Sequence, residues 1–146
     1  MVGDWRCVQE LAQRSTPNPL PEITVARVLL AIREGNSEGV SDALSIARAQ
    51  LGGPIHAAGR NSYRRAYESV LNLHLVRDVE LIYETAVVRH SGDINKDNPI
   101  GVLSEVLSRR FEATLPSFRT REPVLSLQRT ALGVRRASCR FTLSRD

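Results

Sequence analysis

The feature that most constrains the fold is the stretch from Asn61 to Val88, which holds 28 residues without a glycine or a proline. Two neighbouring rows of mostly apolar side chains run along it: Tyr63, Tyr67, Val70, Leu71 and His74, followed by Leu75, Val79, Ile82 and Ala86. This three- and four-residue spacing predicts an amphipathic α-helix about 40 Å long. The two rows are both shielded from water only if other helices pack on both sides of this helix. We therefore expect the rest of the chain to supply helical partners.

Length and composition indicate an ordinary globular chain. The 146 residues, 42% hydrophobic and 25% charged, are enough for one domain with a real core. The longest apolar run, Val28 to Ile32, is too short to span a bilayer, and the first ten residues lack the pattern of a signal peptide. We therefore expect a soluble, intracellular protein without a membrane partner. Cys7 and Cys139 are too few and too far apart to predict a disulfide or a metal site.

The basic character of the chain is concentrated at one end. The net charge is +4 and the isoelectric point is near 9.7. The last twelve residues alone contribute +3, through Arg135, Arg136, Arg140 and Arg145 against Asp146. Since the remaining body is nearly neutral, the sequence does not favour direct nucleic-acid binding.

The N-terminal third predicts three helices. Asp4 is a candidate cap for a first helix running to about Arg14, and three prolines then exclude a helix from the connector 15–21. A second helix should begin near Pro21 or Glu22 and end at Gly35, a good left-handed C-terminal cap. Asn36 or Ser37 would cap a third helix, which we expect to end at Gly52, Gly53 and Pro54. Such a short connection predicts antiparallel neighbours.

The C-terminal third predicts two more helices after a polar loop, 89–98. Asn98 followed by Pro99 is a start signal for a helix that should end before Pro116. Residues 117–120 should lead into the last helix, which has Pro123 near its first turn and should stop at Gly133. The count is six helices, and no window alternates like a strand, so the predicted fold class is all-α, built of antiparallel helix pairs. Periodicity alone leaves open a bundle or an α-solenoid.

No motif in the sequence predicts catalysis. His56, His74 and His90 are scattered, and for His74 a packed or hydrogen-bonded histidine is the better interpretation than a ligand. Asp78, Glu80 and Glu84 are close in sequence, but the first two point about 200 degrees apart on a helix, which favours a solvated edge. The segment SGDINKDN lacks the glycine and the closing glutamate of a calcium loop. We predict no catalytic, cofactor-binding or metal-binding residues.

Two further patterns have ordinary explanations. Tyr63 and Tyr67 beside Arg64 and Arg65 could suggest nucleic-acid stacking, yet the tyrosines share a face with apolar residues, which favours core contact. The sequence RRAS around Ser138 fits an arginine-directed phosphorylation pattern that often arises by chance.

Two blocks of sequence carry a family resemblance. SYRRAYESVLNLHLVRDVE at 62–80 and PSFRTREPVLSLQRTAL at 116–132 resemble the FAT region of the phosphatidylinositol-3-kinase-related protein kinases, most of all the ATR-type checkpoint kinases. The matching residues are Ser62, Tyr63, Arg65, Tyr67, Glu68, Leu73, His74 and Glu80 in the first block, and Ser117, Arg119, Arg121, Glu122, Pro123, Leu125, Leu127, Arg129 and Leu132 in the second. Upstream, GDWRCVQELA resembles the family's helix pair with a buried tryptophan. The resemblance covers about residues 3 to 133.

The resemblance implies a tetratricopeptide-like α-solenoid segment that serves as a non-catalytic scaffold of a nuclear serine/threonine kinase in DNA-damage signalling. The kinase catalytic loop is absent, so we expect no enzymatic activity and no cofactor. The partners would be other proteins or the remaining segments of a kinase chain. Residues 1–133 would form the FAT-like segment, and 134–146 a basic tail, disordered or foreign to the repeat. The candidate structural or interaction residues are Trp5, Tyr63, Tyr67, His74, Arg119, Glu122 and Pro123.

An alternative function is a free-standing helical-repeat adaptor that binds a partner protein in its groove. In either case a severed solenoid piece exposes apolar surface at each cut, so we predict an isolated chain that is marginally stable or self-associating.

Overall fold

The computed structural model describes residues 5–14, 20–57, 62–90 and 99–143, and within these ranges every regular element is an α-helix. Six helices follow one another along the chain: α1 (Trp5–Gln13), α2 (Pro21–Glu34), α3 (Ser37–Ala57), α4 (Tyr63–His90), α5 (Pro99–Ala113) and α6 (Phe118–Leu143). The described residues contain no strand. The predicted all-α class and the six helices are confirmed. The capping roles predicted for Asp4 and Asn98 and the SGDINKDN segment lie outside the described residues.

The chain divides into two compact units, an N-terminal unit of residues 1–76 and a C-terminal unit of residues 77–146. The division falls within α4, so its first half belongs to the N-terminal unit and its second half to the C-terminal unit. No helix in the described part of the chain is both long and apolar enough to cross a membrane.

The α2–α3 hairpin is the best-packed part of the N-terminal unit. Gly35 has a φ of 73°, the left-handed conformation that ends a helix, and its N–H donates to the carbonyl of Ile32 at 3.2 Å. Asn36 then caps α3, because its Oδ1 accepts the N–H of Gly39 at 3.2 Å. Both helix ends lie where the sequence predicted them, and two residues suffice to reverse the chain.

The core of this unit lies between α2 and α3, and α1 packs on α2. Its buried apolar side chains fall at the predicted helical spacing: Val25, Val28, Leu29, Leu30 and Ile32 on α2, and Val40, Leu44, Ala47 and Leu51 on α3. One prediction here is wrong: α3 does not end at Gly52 but continues through Pro54 to Ala57. Glycine disfavours a helix interior by only about 1 kcal/mol, which neighbouring packing can offset.

The C-terminal unit contains the second half of α4 together with α5 and α6, and α5 packs against α6. Its apolar core is formed by Val79 and Ile82 of α4, Leu103 and Leu107 of α5, and Val124, Ala131 and Val134 of α6. These side chains are at least nine-tenths buried. Each helix therefore has one apolar face and one solvated face, as amphipathic helices do.

The predicted end of α6 is wrong, whereas its start lies within the lead-in expected at 117–120. Ser117 caps the helix, since its Oγ accepts the N–H of Thr120 at 3.3 Å, so α6 begins at Phe118 and Pro123 is its sixth residue. Gly133 does not stop it, because α6 continues to Leu143 and buries Val134, the next residue. The segment 134–143, part of the tail expected to be either disordered or foreign to the repeat, is helical. Burial of Val134 helps to offset the small helical cost of glycine.

Candidate interaction surface

A buried carboxylate joins the three helices of the C-terminal unit. Asp78 of α4 is only 1% exposed. Arg110 of α5 donates from Nε to Asp78 Oδ1 at 3.0 Å, and Gln128 of α6 donates from Nε2 to Oδ2 at 3.2 Å. Both carboxylate oxygens are therefore satisfied, and one partner carries the compensating charge. We call these three residues the Asp78 cluster. A carboxylate so fully engaged has a structural role rather than that of an acid or base facing a substrate.

The sequence analysis misplaced Asp78, which it assigned to a solvated edge. A signal was available: Asp78 lies three residues after Leu75 and four before Ile82, both buried members of the second apolar row of α4. Because aspartate is charged, position 78 was not counted as a member of that apolar row. Glu80 and Glu84 do pair with one surface arginine, Arg77. The hydrogen bond that Arg77 donates to Glu80 raises the pKa of Arg77 above its ordinary value.

The C-terminal ends of α1 and α5 are each capped by an arginine from the following helix. In the C-terminal unit, the Nε and a terminal NH₂ of Arg121 donate to the carbonyl of Thr114 at 3.3 and 3.2 Å. The same guanidinium lies 4.7 Å from the centre of the Phe111 ring, a cation–π distance. A cation at a helix C-terminus satisfies carbonyls that the helix cannot and opposes the helix dipole.

The N-terminal unit contains a comparable arginine cap, at the C-terminal end of α1. Arg27 of α2 donates from Nε to the carbonyl of Ala12 at 2.9 Å and from a terminal NH₂ to that of Arg14 at 3.3 Å. Here a second arginine, Arg33, supplies the cation–π contact, 5.1 Å from the centre of the Trp5 ring. Trp5, expected to be a buried structural residue, is half-buried beneath that arginine.

The remaining candidates of the N-terminal unit are mostly exposed. Tyr63 is 93% exposed, so the predicted core contact is wrong for it. It is the first residue of α4, and because helical side chains tilt toward the N-terminus, it points past the start of its own helix. Tyr67, one turn later, is half-buried, and His74 is exposed. The three residues therefore do not form one buried cluster.

The other candidates lie together on α6. Arg119, Glu122 and Pro123 are exposed, and so are two large apolar side chains beside them, Phe118 at 85% and Leu125 at 50%. Residues 118, 122, 125 and 129 follow the spacing of one helical row, with residue 119 at its border. We define the outer face of α6 by these exposed residues: Phe118, Arg119, Glu122, Leu125 and Arg129.

The polar chemistry of the described residues is that of a packed framework. No buried side-chain nitrogen or oxygen among them lacks a hydrogen-bond partner. Within the same ranges, no three side chains of histidine, cysteine, aspartate or glutamate group as they would to hold a metal ion. The class defined by this fold is an all-α protein of amphipathic helices, several joined by short turns, whose exposed apolar side chains can serve for contacts.

Comparison with known proteins gives the particular relationship. The chain is 33% identical over 149 aligned positions to the serine/threonine-protein kinase ATR of Arabidopsis thaliana, and this alignment includes 90% of the chain. It is 26% identical over 142 positions to the ATR kinases of indica and japonica rice, with 88% of the chain aligned. The chain thus corresponds to a segment of an ATR-like protein, as the two-block resemblance predicted.

The aligned segment is a small part of those kinases. The chain spans about 5% of the length of each curated relative that it matches. No protein-family model matches the chain. No solved structure matches it either.

Proposed function

We propose that the chain acts as a non-catalytic helical scaffold segment, of the FAT type, in an ATR-like serine/threonine kinase. The observation that supports this most is the 33% identity to Arabidopsis ATR across nine-tenths of the chain. The packing agrees with a scaffold, because the buried side chains of Thr24 and Asp78 bond to residues of other helices. Its role would be to form protein–protein contacts, as part of a tetratricopeptide-like α-solenoid.

The proposal extends to the process and the place in which this scaffold acts. By its relationship to ATR, the chain would serve DNA-damage checkpoint signalling and DNA repair in the nucleus. It would hold no ATP and would have no activity of its own. Residues 1–133 would form the FAT-like segment, with the basic residues 134–146 following it. The proposed structural and contact residues are Trp5, Tyr63, Tyr67, His74, Arg119, Glu122 and Pro123.

A chimeric kinase tests this function. The segment of Arabidopsis ATR that aligns with the chain would be replaced by the chain, and the chimera would be expressed in cells that lack ATR. We expect the chimera to restore damage-dependent phosphorylation of checkpoint substrates, because a scaffold segment needs only the right helices and contacts. The matched control is an unrelated helical hairpin protein of equal length in the same place, which should not restore it.

The outcome that contradicts the proposal is a chimera that is expressed at normal levels but inactive, or a control that restores signalling equally well. Either result would favour the second candidate, a free-standing helical adaptor. That candidate is supported by the outer face of α6, whose exposed Phe118 and Leu125 suit contact with a partner helix. Sequencing the transcript across the Leu132 codon separates the two, since only a kinase reading frame continues into further repeats and a kinase domain.

A further inference from the structure

The outer face of α6 combines exposed apolar side chains with unshared positive charge. Phe118 is 85% exposed and Leu125 50%. Arg119 and Arg129 are exposed at the border and within the same row. Neither arginine takes part in an ion pair or a hydrogen bond within the described parts of the chain. Large exposed apolar groups beside unpaired arginines are features of contact surfaces, because the apolar groups gain free energy when a partner covers them and the arginines can pair with acidic groups of that partner.

The charge of the whole helix indicates what kind of partner would fit. The sequence of α6 contains six arginines against a single acidic residue, Glu122, so its formal charge is +5. The complete chain has a net charge of +4. The remainder of the chain is therefore slightly acidic, and α6 carries all of the positive excess. A complementary partner must bring negative charge together with apolar side chains.

A second copy of this chain does not meet that requirement. Two α6 helices placed face to face would each bring a charge of +5, and opposing like charges disfavour association. A nucleic acid meets only half of it. Phosphates would pair with the arginines, but they would gain nothing from Leu125, an aliphatic side chain in the middle of the row. An amphipathic helix with acidic flanks satisfies both parts, because its apolar row covers Phe118 and Leu125 while its acids pair with the arginines.

We propose that the outer face of α6 binds an acidic amphipathic helix of a partner protein. This inference rests on the proposed function, since it names the class of partner that the scaffold holds. The contact would centre on Phe118 and Leu125, which lie one turn before and one turn after Glu122. Arg119 and Arg129 would select acidic partners and speed their association.

The experiment measures binding of a synthetic peptide to the full 146-residue chain by fluorescence anisotropy. The peptide has about 20 residues, which as a helix span roughly 30 Å, with leucines in one row and glutamates on both flanks. Two controls have the same length: one with the leucines scrambled around the helix, and one with lysine in place of glutamate. We expect the acidic amphipathic peptide to bind, with an affinity that falls as salt is added, and the two controls to bind weakly.

Paired variants locate the contact. Phe118→Ser with Leu125→Ser, and separately Arg119→Glu with Arg129→Glu, should each weaken binding about tenfold or more, as loss of central contacts does. Ile46→Ser and Arg6→Glu change an exposed apolar residue and an exposed arginine elsewhere, and should leave affinity within about twofold. Circular dichroism of each variant should match that of the parent chain, since all these side chains are exposed.

Four outcomes overturn the proposal, the last being the absence of any peptide binding. The first is peptide binding that the α6 variants leave unchanged. The second is binding of an RNA oligonucleotide that the arginine variant abolishes and the Phe118 and Leu125 variant does not, which assigns the face to nucleic acid. The third is a concentration-dependent rise in molar mass that the Phe118 and Leu125 variant removes, which assigns it to a second copy. If the chimera is active but the chain does not bind the peptide, the acidic-helix partner is refuted and the scaffold function stands. If the chimera is inactive but the peptide binds through α6, the scaffold function is refuted and the acidic-helix partner stands.

Discussion

The two units cap the C-terminal end of a helix in the same way, with an arginine, but they bury different polar groups. In each, an arginine of the following helix donates to carbonyls at the end of the preceding one: Arg27 at the end of α1, and Arg121 at the end of α5. In the N-terminal unit the buried polar contact is neutral, since Thr24 donates to Gln50 Oε1 at 3.2 Å. In the C-terminal unit it is charged, and it links three helices through Asp78.

This difference indicates which substitutions should destabilise each unit most. A neutral hydroxyl that loses its partner costs roughly 1–3 kcal/mol at most, and a half-exposed glutamine can turn to water. A buried carboxylate that loses its cation costs more, about 3–5 kcal/mol, because the charge remains in an apolar surrounding. We therefore expect the N-terminal unit to depend mainly on apolar packing and the C-terminal unit on an intact ion pair.

The largest expected effect is that of Arg110→Met, which leaves Asp78 buried without its cation. We expect a loss of about 3–5 kcal/mol in the free energy of unfolding, measured by urea denaturation followed by circular dichroism. The matched control, Arg109→Met, removes an exposed arginine paired with Glu105 and should cost less than about 1 kcal/mol.

A triple variant sharpens this test. Asp78→Leu combined with Arg110→Met and Gln128→Leu replaces all three members of the Asp78 cluster by apolar side chains, and should recover most of the stability lost in Arg110→Met alone. Equal losses in the Arg110 and Arg109 variants would show that the Asp78 cluster does not dominate its unit.

An intermediate loss in the free energy of unfolding is expected for Arg27 and Arg121, the two arginines that cap helix ends. Arg121→Met and Arg27→Met each remove charged hydrogen bonds to backbone carbonyls, at about 1.5–3 kcal/mol. Arg121→Met should be the worse by about 0.5–1 kcal/mol, because Arg121 also makes the contact with Phe111 whereas Arg33 makes that with Trp5. Hydrogen exchange should show faster exchange at the end of α5 in the first variant and at the end of α1 in the second. If the two variants are equally stable, the cation–π contact contributes nothing.

The smallest effect is expected from Thr24→Val, which keeps the shape of the buried side chain and removes its hydroxyl. We expect a loss of about 0.5–1.5 kcal/mol, read from the denaturation midpoint. Val28→Thr places a hydroxyl at a buried apolar position of the same helix and should cost more than Thr24→Val does. A loss from Thr24→Val as large as that from Arg110→Met would remove the contrast between the two units.

The sequence was sufficient for the features that depend on local chemistry. Gly35 and Asn36 predicted the α2–α3 turn because a left-handed cap and an N-cap are set by single residue types. The buried rows of α2 and α3 followed from three- and four-residue spacing alone. The ATR-like relationship was also predicted, from two ordered blocks of residues rather than from any catalytic motif.

The failures share a cause in tertiary packing. Helices α3 and α6 continue past Gly52 and Gly133 because the intrinsic helical cost of a glycine is small, and in α6 the burial of Val134 helps to offset it. Asp78 was assigned to solvent because its partners, Arg110 and Gln128, are far away in sequence and no local pattern reveals them. Tyr63 was assigned to a core because its spacing is correct, although its position at the first residue of α4 leaves nothing to cover it.

The Asp78 cluster also has a consequence for how this polypeptide acquires its structure during synthesis. Its partners lie 32 and 50 residues further along the chain. A nascent chain therefore exposes this carboxylate to water well before Arg110 leaves the ribosome, and Gln128 emerges later still. The C-terminal unit is thus completed only when α6 has been made, whereas the short-range α2–α3 hairpin has every residue it needs from early in translation.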